Sequence, residues 1–336
     1  MRKRNVAIAA VVVVGLLGVA GYGVASAMVY DEISKVSGDC PTAWADNDPT
    51  GFEVLNGDGT RVAGHETFDT TPYSMPEPEV VTFPSRDPAI QVHGWWMPAE
   101  RADAPAILVV HGVHACKRDY TVLLPAGMLY RNGFSILMID IRDHGDSTYE
   151  DGRYAGGTEE YAEVLGAWDW LRTDRGIPIE KIGVYGASLG AATVLIAVGQ
   201  EPRIATVFED SSYADLKKVL YDELARNGFP GFLEPGAEIA ARVIGGDDMM
   251  SLSPLKGVQQ LAGRPIYITH GTQDDRIKVA YAEDLIAAAE ATGSHPQSWF
   301  VPCGHTHSML DETAGYEQRL VGFFNETLGV GVAAAN

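Results

Sequence analysis

The stretch Lys181–Gly199, KIGVYGASLGAATVLIAVG, holds one serine between two glycines, where a β-branched apolar run changes into an alanine-rich run. The first part has the composition of a buried strand, and the second part that of a helix. A tight turn between them leaves no room for side chains two residues before and after Ser188, which accounts for Gly186 and Gly190. We therefore expect the serine hydroxyl to stand clear of the backbone and to face a cleft.

Apolar strand-like runs alternate with amphipathic helical segments from residue 79 onward. The strand candidates are EVVTFP (79–84), IQVHGWWM (90–97), AILVVHG (106–112), FSILMIDI (134–141), KIGVYG (181–186), IATVFED (204–210), PIYITHG (265–271) and SWFVP (298–302). This alternation predicts an α/β fold with a mostly parallel sheet of about eight strands, covered by helices on both faces. The first two candidates have no helix between them and should form an antiparallel hairpin. Functional side chains are expected at the carboxyl ends of the strands.

An acid and a base follow the serine, each just after a predicted strand. A serine hydroxyl needs a base to accept its proton, and that base needs an acid to orient it. Asp274 follows the strand PIYITHG, and His305 follows SWFVP. Asp275 and Asp210 are alternative acids, and His307 is an alternative base.

Several motifs, in this order along the chain, resemble those of the α/β-hydrolase superfamily. AILVVHG resembles its oxyanion turn, and GASLG (186–190) its nucleophile elbow. HGTQDDRI (270–277) resembles its HGxxDxxV segment, and VPCGH (301–305) the loop that carries its histidine. MIDIRDHGDS (138–147) resembles its DxRGxGxS turn, although Asp143 stands where that pattern has glycine. In style the chain is most similar to bacterial anchored or exported hydrolases with a short cap, such as dienelactone-hydrolase and prolyl-oligopeptidase catalytic domains.

The resemblance implies an α/β-hydrolase fold and a serine hydrolase that cleaves an ester, thioester or amide through an acyl-enzyme. It makes Ser188 the nucleophile, His305 the base and Asp274 the acid. The backbone N–H groups of Val113 and Leu189 would form the oxyanion hole. It implies no metal and no organic cofactor. The alternatives are a non-catalytic membrane-tethered binding protein on the same scaffold, and an acyltransferase that uses the same three residues.

The amino-terminal segment is basic and then strongly apolar. Arg2, Lys3 and Arg4 precede residues 5–30, which contain no charged side chain. This length and charge pattern predicts a single membrane-spanning helix, with the catalytic domain outside the cytoplasm. Ala25, Ser26 and Ala27 resemble a signal-peptidase site, so secretion after cleavage is the competing interpretation.

Charge and cysteine content limit the remaining possibilities. The formal net charge of −20 disfavours nucleic acid as a partner, because it repels phosphate backbones. Cys40, Cys116 and Cys303 lack the paired spacing of a zinc site. One disulfide is possible, but we interpret all three mainly as small apolar residues.

The predicted organisation has four parts. Residues 1–30 form the signal-anchor segment, and residues 31–78 a linker with one possible hairpin around NGDG. Residues 79–328 form the catalytic domain, in which residues 212–250 are a small helical cap. Residues 329–336 are a tail.

Overall fold

The computed structural model describes residues 2–246 and 248–329, and for residues 2–14 the backbone alone. The tail predicted at 329–336 therefore lies outside the described residues, except for Gly329. The strands are β1 Glu79–Pro84, β2 Gln91–Met97, β3 Ala106–Val110, β4 Ser135–Ile139, β5 Ile182–Ala187, β6 Thr206–Asp210, β7 Ile266–Gly271 and β8 Gln297–Val301. The α-helices are α1 Arg2–Ser34, α2 Tyr120–Arg131, α3 Tyr161–Thr173, α4 Leu189–Gln200, α5 Leu216–Arg226, α6 Glu234–Ala240, α7 Pro254–Val258, α8 Ala280–Ala291, α9 Ser308–Asp311 and α10 Thr313–Leu328.

The strands form one sheet in the order β1-β2-β4-β3-β5-β6-β7-β8. β2 is antiparallel to both β1 and β4, and every pair from β4 to β8 is parallel. The predicted mostly parallel sheet and its first hairpin are confirmed. Strands β3 to β7 are buried along their whole length, which explains why they read as continuous apolar runs rather than as alternating patterns.

Helices cover both faces of the sheet, as predicted. α2, α9 and α10 pack on one face, and α3, α4, α7 and α8 on the other. α3 buries Val164, Leu165, Trp168 and Leu171, which are spaced to lie on one side of a helix. This layered arrangement brings the carboxyl ends of β3, β5, β6, β7 and β8 to one edge, where the functional residues collect.

Residues 35–78 pack against the catalytic domain, although they contain little regular structure. Two short 3₁₀ turns, Thr42–Trp44 and Thr71–Tyr73, lie in this segment. Phe52, Val54 and Val62 are buried in the same cluster as α2. The hairpin expected around NGDG is reduced to a tight turn closed by one bridge between residues 55 and 61.

The cysteine interpretation was wrong for two of the three residues. Cys40 and Cys116 form a disulfide, with their Cα atoms 5.5 Å apart, and only Cys303 is a free, buried thiol. Their separation of 76 residues in sequence gave no local signal of this pairing. The bond fastens the segment before the sheet to the loop after β3.

We expect loss of this disulfide to lower stability strongly. A cross-link that closes a loop of this length lowers the conformational entropy of the unfolded chain. It thereby raises the free energy of unfolding by about 4 kcal/mol. The double variant Cys40→Ser/Cys116→Ser should therefore unfold at a lower denaturant concentration than the wild type. Reductant should shift the wild-type midpoint in the same direction and leave the double variant unchanged. Equal midpoints for the wild type and the variant under oxidising conditions would contradict the prediction.

The cap consists of α5, a 3₁₀ turn at Gly231–Leu233, α6 and a π turn at Ala241–Gly245. α5 lies over the segment that follows β7. Arg276 Nε lies 3.4 Å from Glu223 Oε1, and Lys278 Nζ lies 2.7 Å from Asp222 Oδ1. The cap is thus fastened by ion pairs to the residues that directly follow Asp274.

The end of α1 packs on the cap. Val29 is buried among Leu220, Leu224 and Leu233, and Ser26 lies against Gly236. In the part of the chain with described side chains, no helix combines the length and the apolar character that a membrane crossing requires. The predicted membrane-spanning segment is therefore not supported.

Candidate active site

The turn between β5 and α4 has the strained geometry that its glycines predict. Ser188 has φ +57°, in the left-handed region that side chains rarely adopt. A Cβ at Gly186 would lie 2.3 Å from the carbonyl oxygen of Gly190, and one at Gly190 would lie 2.2 Å from that of Val110. The Ser188 N–H donates to the Asp210 carbonyl at 2.8 Å, which ties the turn to β6. The two glycines are therefore required by close backbone contact.

Ser188, His305 and Asp274 form one hydrogen-bonded chain. Asp274 Oδ2 lies 2.6 Å from His305 Nδ1, and His305 Nε2 lies 2.8 Å from Ser188 Oγ. An ionised carboxylate only accepts, so Nδ1–H donates to Asp274, and Nε2 is left to accept from the serine hydroxyl. The structure thus brings together three residues from the ends of β5, β7 and β8, in the arrangement that activates a serine.

The Asp274 carboxylate is buried, and both of its oxygens accept hydrogen bonds. Its Oδ1 accepts from the backbone N–H groups of Arg276 and Ile277 at 2.9 and 2.8 Å. Burial alone raises the pKa of Asp274, but hydrogen bonds from His270 and His305 outweigh it and hold the pKa well below its ordinary value. Asp274 therefore remains ionised and accepts a hydrogen bond from His305 Nδ1.

The alternative acids and base occupy other positions. Asp275 is exposed to solvent. Asp210 is fully buried, and its carboxylate accepts from Tyr316 at 2.7 Å and from Ser211 at 2.8 Å. Its burial raises its pKa. His307 precedes α9, and its ring packs edge-on against His65.

The loop after β3 lies directly against the serine. A Cβ at Gly112 would be 3.2 Å from Ser188 Cβ, so Val113 follows at the position where an oxyanion donor is expected. Leu189 is the first residue of α4, and its N–H precedes the first hydrogen bond within that helix. The oxyanion role of the Val113 and Leu189 N–H groups stays a prediction.

His270 lies beside Asp274 and interacts electrostatically with Glu209, and the sequence did not identify either residue as a neighbour of the acid. His270 Nε2 donates to the Ile277 carbonyl at 2.7 Å and lies 3.4 Å from Asp274 Oδ2. Its Nδ1 and Glu209 Oε1 are both buried without a protein partner among the described residues. Interaction with Asp274 raises the pKa of His270 against the effect of burial, and burial raises the pKa of Glu209 to about 8. The sequence offered one indication of this contact, because His270 is the first residue of the HGTQDDRI motif that contains Asp274.

Glu209 should make stability fall as the pH rises. Its ordinary pKa is near 4.5, and the folded value is about 8, so between these values the folded protein holds a proton that the unfolded chain has lost. The free energy of unfolding then decreases from pH 5 to pH 8. In Glu209→Gln, which still accepts from the Ser212 N–H, this decrease should be smaller. Denaturant unfolding at pH 5, 7 and 8.5 measures this change in the free energy of unfolding, and Glu290→Gln, at an exposed position, is the control. An equal pH slope in Glu209→Gln and wild type would contradict the assignment.

The turn that carries Asp143 departs from the superfamily pattern in sequence but not in conformation. Asp143 has φ +58°, the conformation that glycine adopts readily. Its Oδ1 accepts from the N–H groups of Glu150, Asp151 and Gly152 at 2.7, 3.1 and 2.9 Å. These three hydrogen bonds offset the strain of a non-glycine residue there.

Two contacts lie beside the loop after β3 and beside the cap. The rings of His114 and Tyr154 meet edge to face, with centroids 6.4 Å apart. Arg276, paired with Glu223, lies on the cap side. His111, by contrast, is fully buried, and its Nε2 accepts from the Ile141 N–H at 3.3 Å. Within residues 2–246 and 248–329, no group of three or more His, Cys, Asp or Glu side chains is placed to hold a metal ion.

Comparison with known proteins identifies the family. The model of the prolyl oligopeptidase family matches residues 124–331, well over half of the chain. The uncharacterized protein YfhR of Salmonella typhi is 25% identical over 272 residues, covering 75% of this chain and 83% of its own.

Solved structures share the fold at low sequence identity. An esterase of Pyrococcus furiosus has a TM-score of 0.63 at 18% identity, covering 83% of this chain and 100% of its own. An acylaminoacyl peptidase of Pyrococcus horikoshii has a TM-score of 0.57 at 19% identity, covering 76% of this chain and 42% of its own. The family match and the shared fold agree with the sheet order and the strand-to-helix serine described above. The chain therefore belongs to the prolyl oligopeptidase family and is a serine hydrolase, esterase-like or peptidase-like, with the α/β-hydrolase fold.

Proposed function

We propose that this protein hydrolyses a carboxylic ester, thioester or amide through an acyl-enzyme on Ser188. The observation that carries the proposal is the continuous hydrogen-bonded chain from Asp274 through His305 to Ser188. Each link has the direction that proton transfer from the serine requires. A non-catalytic binding protein on this scaffold would not require a strained serine that is linked through a histidine to a buried, ionised acid.

The proposed reaction has two halves. Ser188 Oγ attacks the acyl carbon while its proton passes to His305 Nε2, and Asp274 stabilises the imidazolium. The N–H groups of Val113 and Leu189 bind the oxygen that becomes negative. His305 then gives its proton to the leaving alcohol, thiol or amine. Water attacks the acyl-enzyme in the second half, with His305 again as base, and frees the acid and Ser188.

Covalent labelling followed by peptide mapping tests the nucleophile directly. A fluorophosphonate should react with the folded protein, and trypsin should release the modified peptide 182–203, in which Ser188 is the one serine. Fragment-ion masses then distinguish Ser188 from Tyr185 and Thr193. An unlabelled folded protein would favour the non-catalytic alternative.

A substrate panel tests the reaction class. p-Nitrophenyl esters of graded chain length and aminoacyl anilides separate an esterase from a peptidase by their kcat/KM values. Adding an alcohol acceptor and analysing the products tests the acyltransferase alternative, because transfer would yield a new ester where hydrolysis yields the free acid.

We also propose that the catalytic domain acts outside the cytoplasm. The disulfide between Cys40 and Cys116 supports this location, since such bonds persist in oxidising compartments. Fractionation of cells, with the mass of the mature amino terminus, separates a retained segment from a cleaved one.

A further inference from the structure

Large apolar side chains on the outer face of the cap are exposed to solvent. We define the cap face as Phe232, Ile239, Val243 and Ile244. Ile239 and Val243 are four residues apart in continuous helical turns, so they lie on the same side. Val243 is 78% exposed. An apolar patch of this kind on a folded domain marks a surface with a partner.

The exposed part of α1 continues this patch. The ring of Tyr22 stacks on Phe232 with centroids 6.4 Å apart, and the Tyr22 hydroxyl donates to the Phe232 carbonyl at 3.0 Å. Leu16, Leu17 and Val19 lie further out along α1, and each is more than half exposed. The cap face and this part of the helix thus form one surface.

The exposure of α1 indicates which partner covers it. Every residue from 15 to 24 is exposed, and none is charged. Four of these ten residues are glycines, and the other six carry apolar side chains that spread over more than half of the helix circumference. A groove or a second copy of the chain covers one side of a helix, whereas the apolar layer of a lipid bilayer surrounds all of it.

We propose that residues 15–24 of α1 and the cap face together contact a lipid bilayer. The net charge of −20 favours zwitterionic over anionic lipid. The proposal concerns contact of these surfaces with the apolar layer beneath the headgroups and does not require the helix to cross it. It is independent of the proposed hydrolytic reaction.

This surface is connected by two contacts to the loop beside Ser188. The carbonyl of Ser34, the last residue of α1, accepts from the Tyr154 N–H at 2.9 Å. Tyr154 in turn packs against His114, next to Val113. A bilayer in contact with α1 and the cap would therefore lie close to the loop after β3, whose Gly112 contacts Ser188.

The test places an environment-sensitive fluorophore on the cap face. Val243→Cys and the control Val80→Cys introduce one exposed thiol each, at positions 78% and 67% exposed in the parent. Cys303 is buried, and the other cysteines are bonded to each other, so labelling is confined to the new thiol. Both variants are made in full-length Ser188→Ala protein, so that lipid hydrolysis cannot alter the signal, and equal melting temperatures show that both fold.

Phosphatidylcholine vesicles are then added. We expect nitrobenzoxadiazole emission at position 243 to rise several-fold, shift to the blue and be quenched by doxyl-labelled lipid, with no change at position 80. Unchanged emission at position 243, with or without cosedimentation of the protein, would overturn the proposal. Emission at 243 that rises with protein concentration before lipid is added would overturn it too, because a second copy would then cover the cap face.

Discussion

Ser188→Ala should reduce kcat by about 10⁴- to 10⁶-fold and abolish labelling by a fluorophosphonate. The substitution removes the oxygen that lies 2.8 Å from His305 Nε2, so no acyl-enzyme can form. The residual rate would come from water held near the oxyanion donors. KM should change little where substrate binding depends on other groups.

Ser37→Ala provides the matched control, since it makes the same chemical change at an exposed position. Its kcat and labelling should equal those of the wild type. Melting curves of both variants exclude unfolding as the cause of any loss. Full labelling of Ser188→Ala would place the nucleophile at another residue and remove the basis of the proposed reaction.

Asp274→Asn should lower kcat by about 10⁴-fold, whereas Asp275→Asn should change it less than about two-fold. The carboxylate of Asp274 accepts from His305 Nδ1 at 2.6 Å, which fixes the tautomer whose Nε2 faces the serine. An amide at this position offers a donor as well as an acceptor, so it no longer enforces that tautomer. Asp275 is exposed, and its substitution leaves this geometry intact.

The two asparagine variants differ by one position and carry the same change in charge. Steady-state rates at several pH values, with fluorophosphonate labelling rates, measure the effect on serine activation rather than on binding alone. A large loss in Asp275→Asn with little in Asp274→Asn would move the acid by one residue. Equal activity in both asparagine variants would make Asp210 the remaining candidate for the acid.

The sequence determined the sheet and the position of the serine. Strands β3 to β7 are buried and therefore continuously apolar, and β1, β2 and β8 could also be recognised from their β-branched and aromatic residues. The turn at Ser188 could also be predicted, because a side chain at Gly186 would clash with Gly190 within the same turn; the clash at Gly190, by contrast, is with Val110 of β3. Local backbone geometry dictates such features, and neighbouring residues encode them.

Only the tertiary structure decided which distant groups meet. Sequence left Asp274, Asp275 and Asp210 open as acids, because all three lie at or just after the carboxyl ends of strands that end at the same edge of the sheet. Cys40 and Cys116 pair across 76 residues, and His305 reaches Ser188 across 117 residues. The packing of α1 on the cap could not be predicted either, because an apolar run indicates that a segment is buried but not which surface it packs against. Contacts of this kind depend on the path of the whole chain, which no local pattern records.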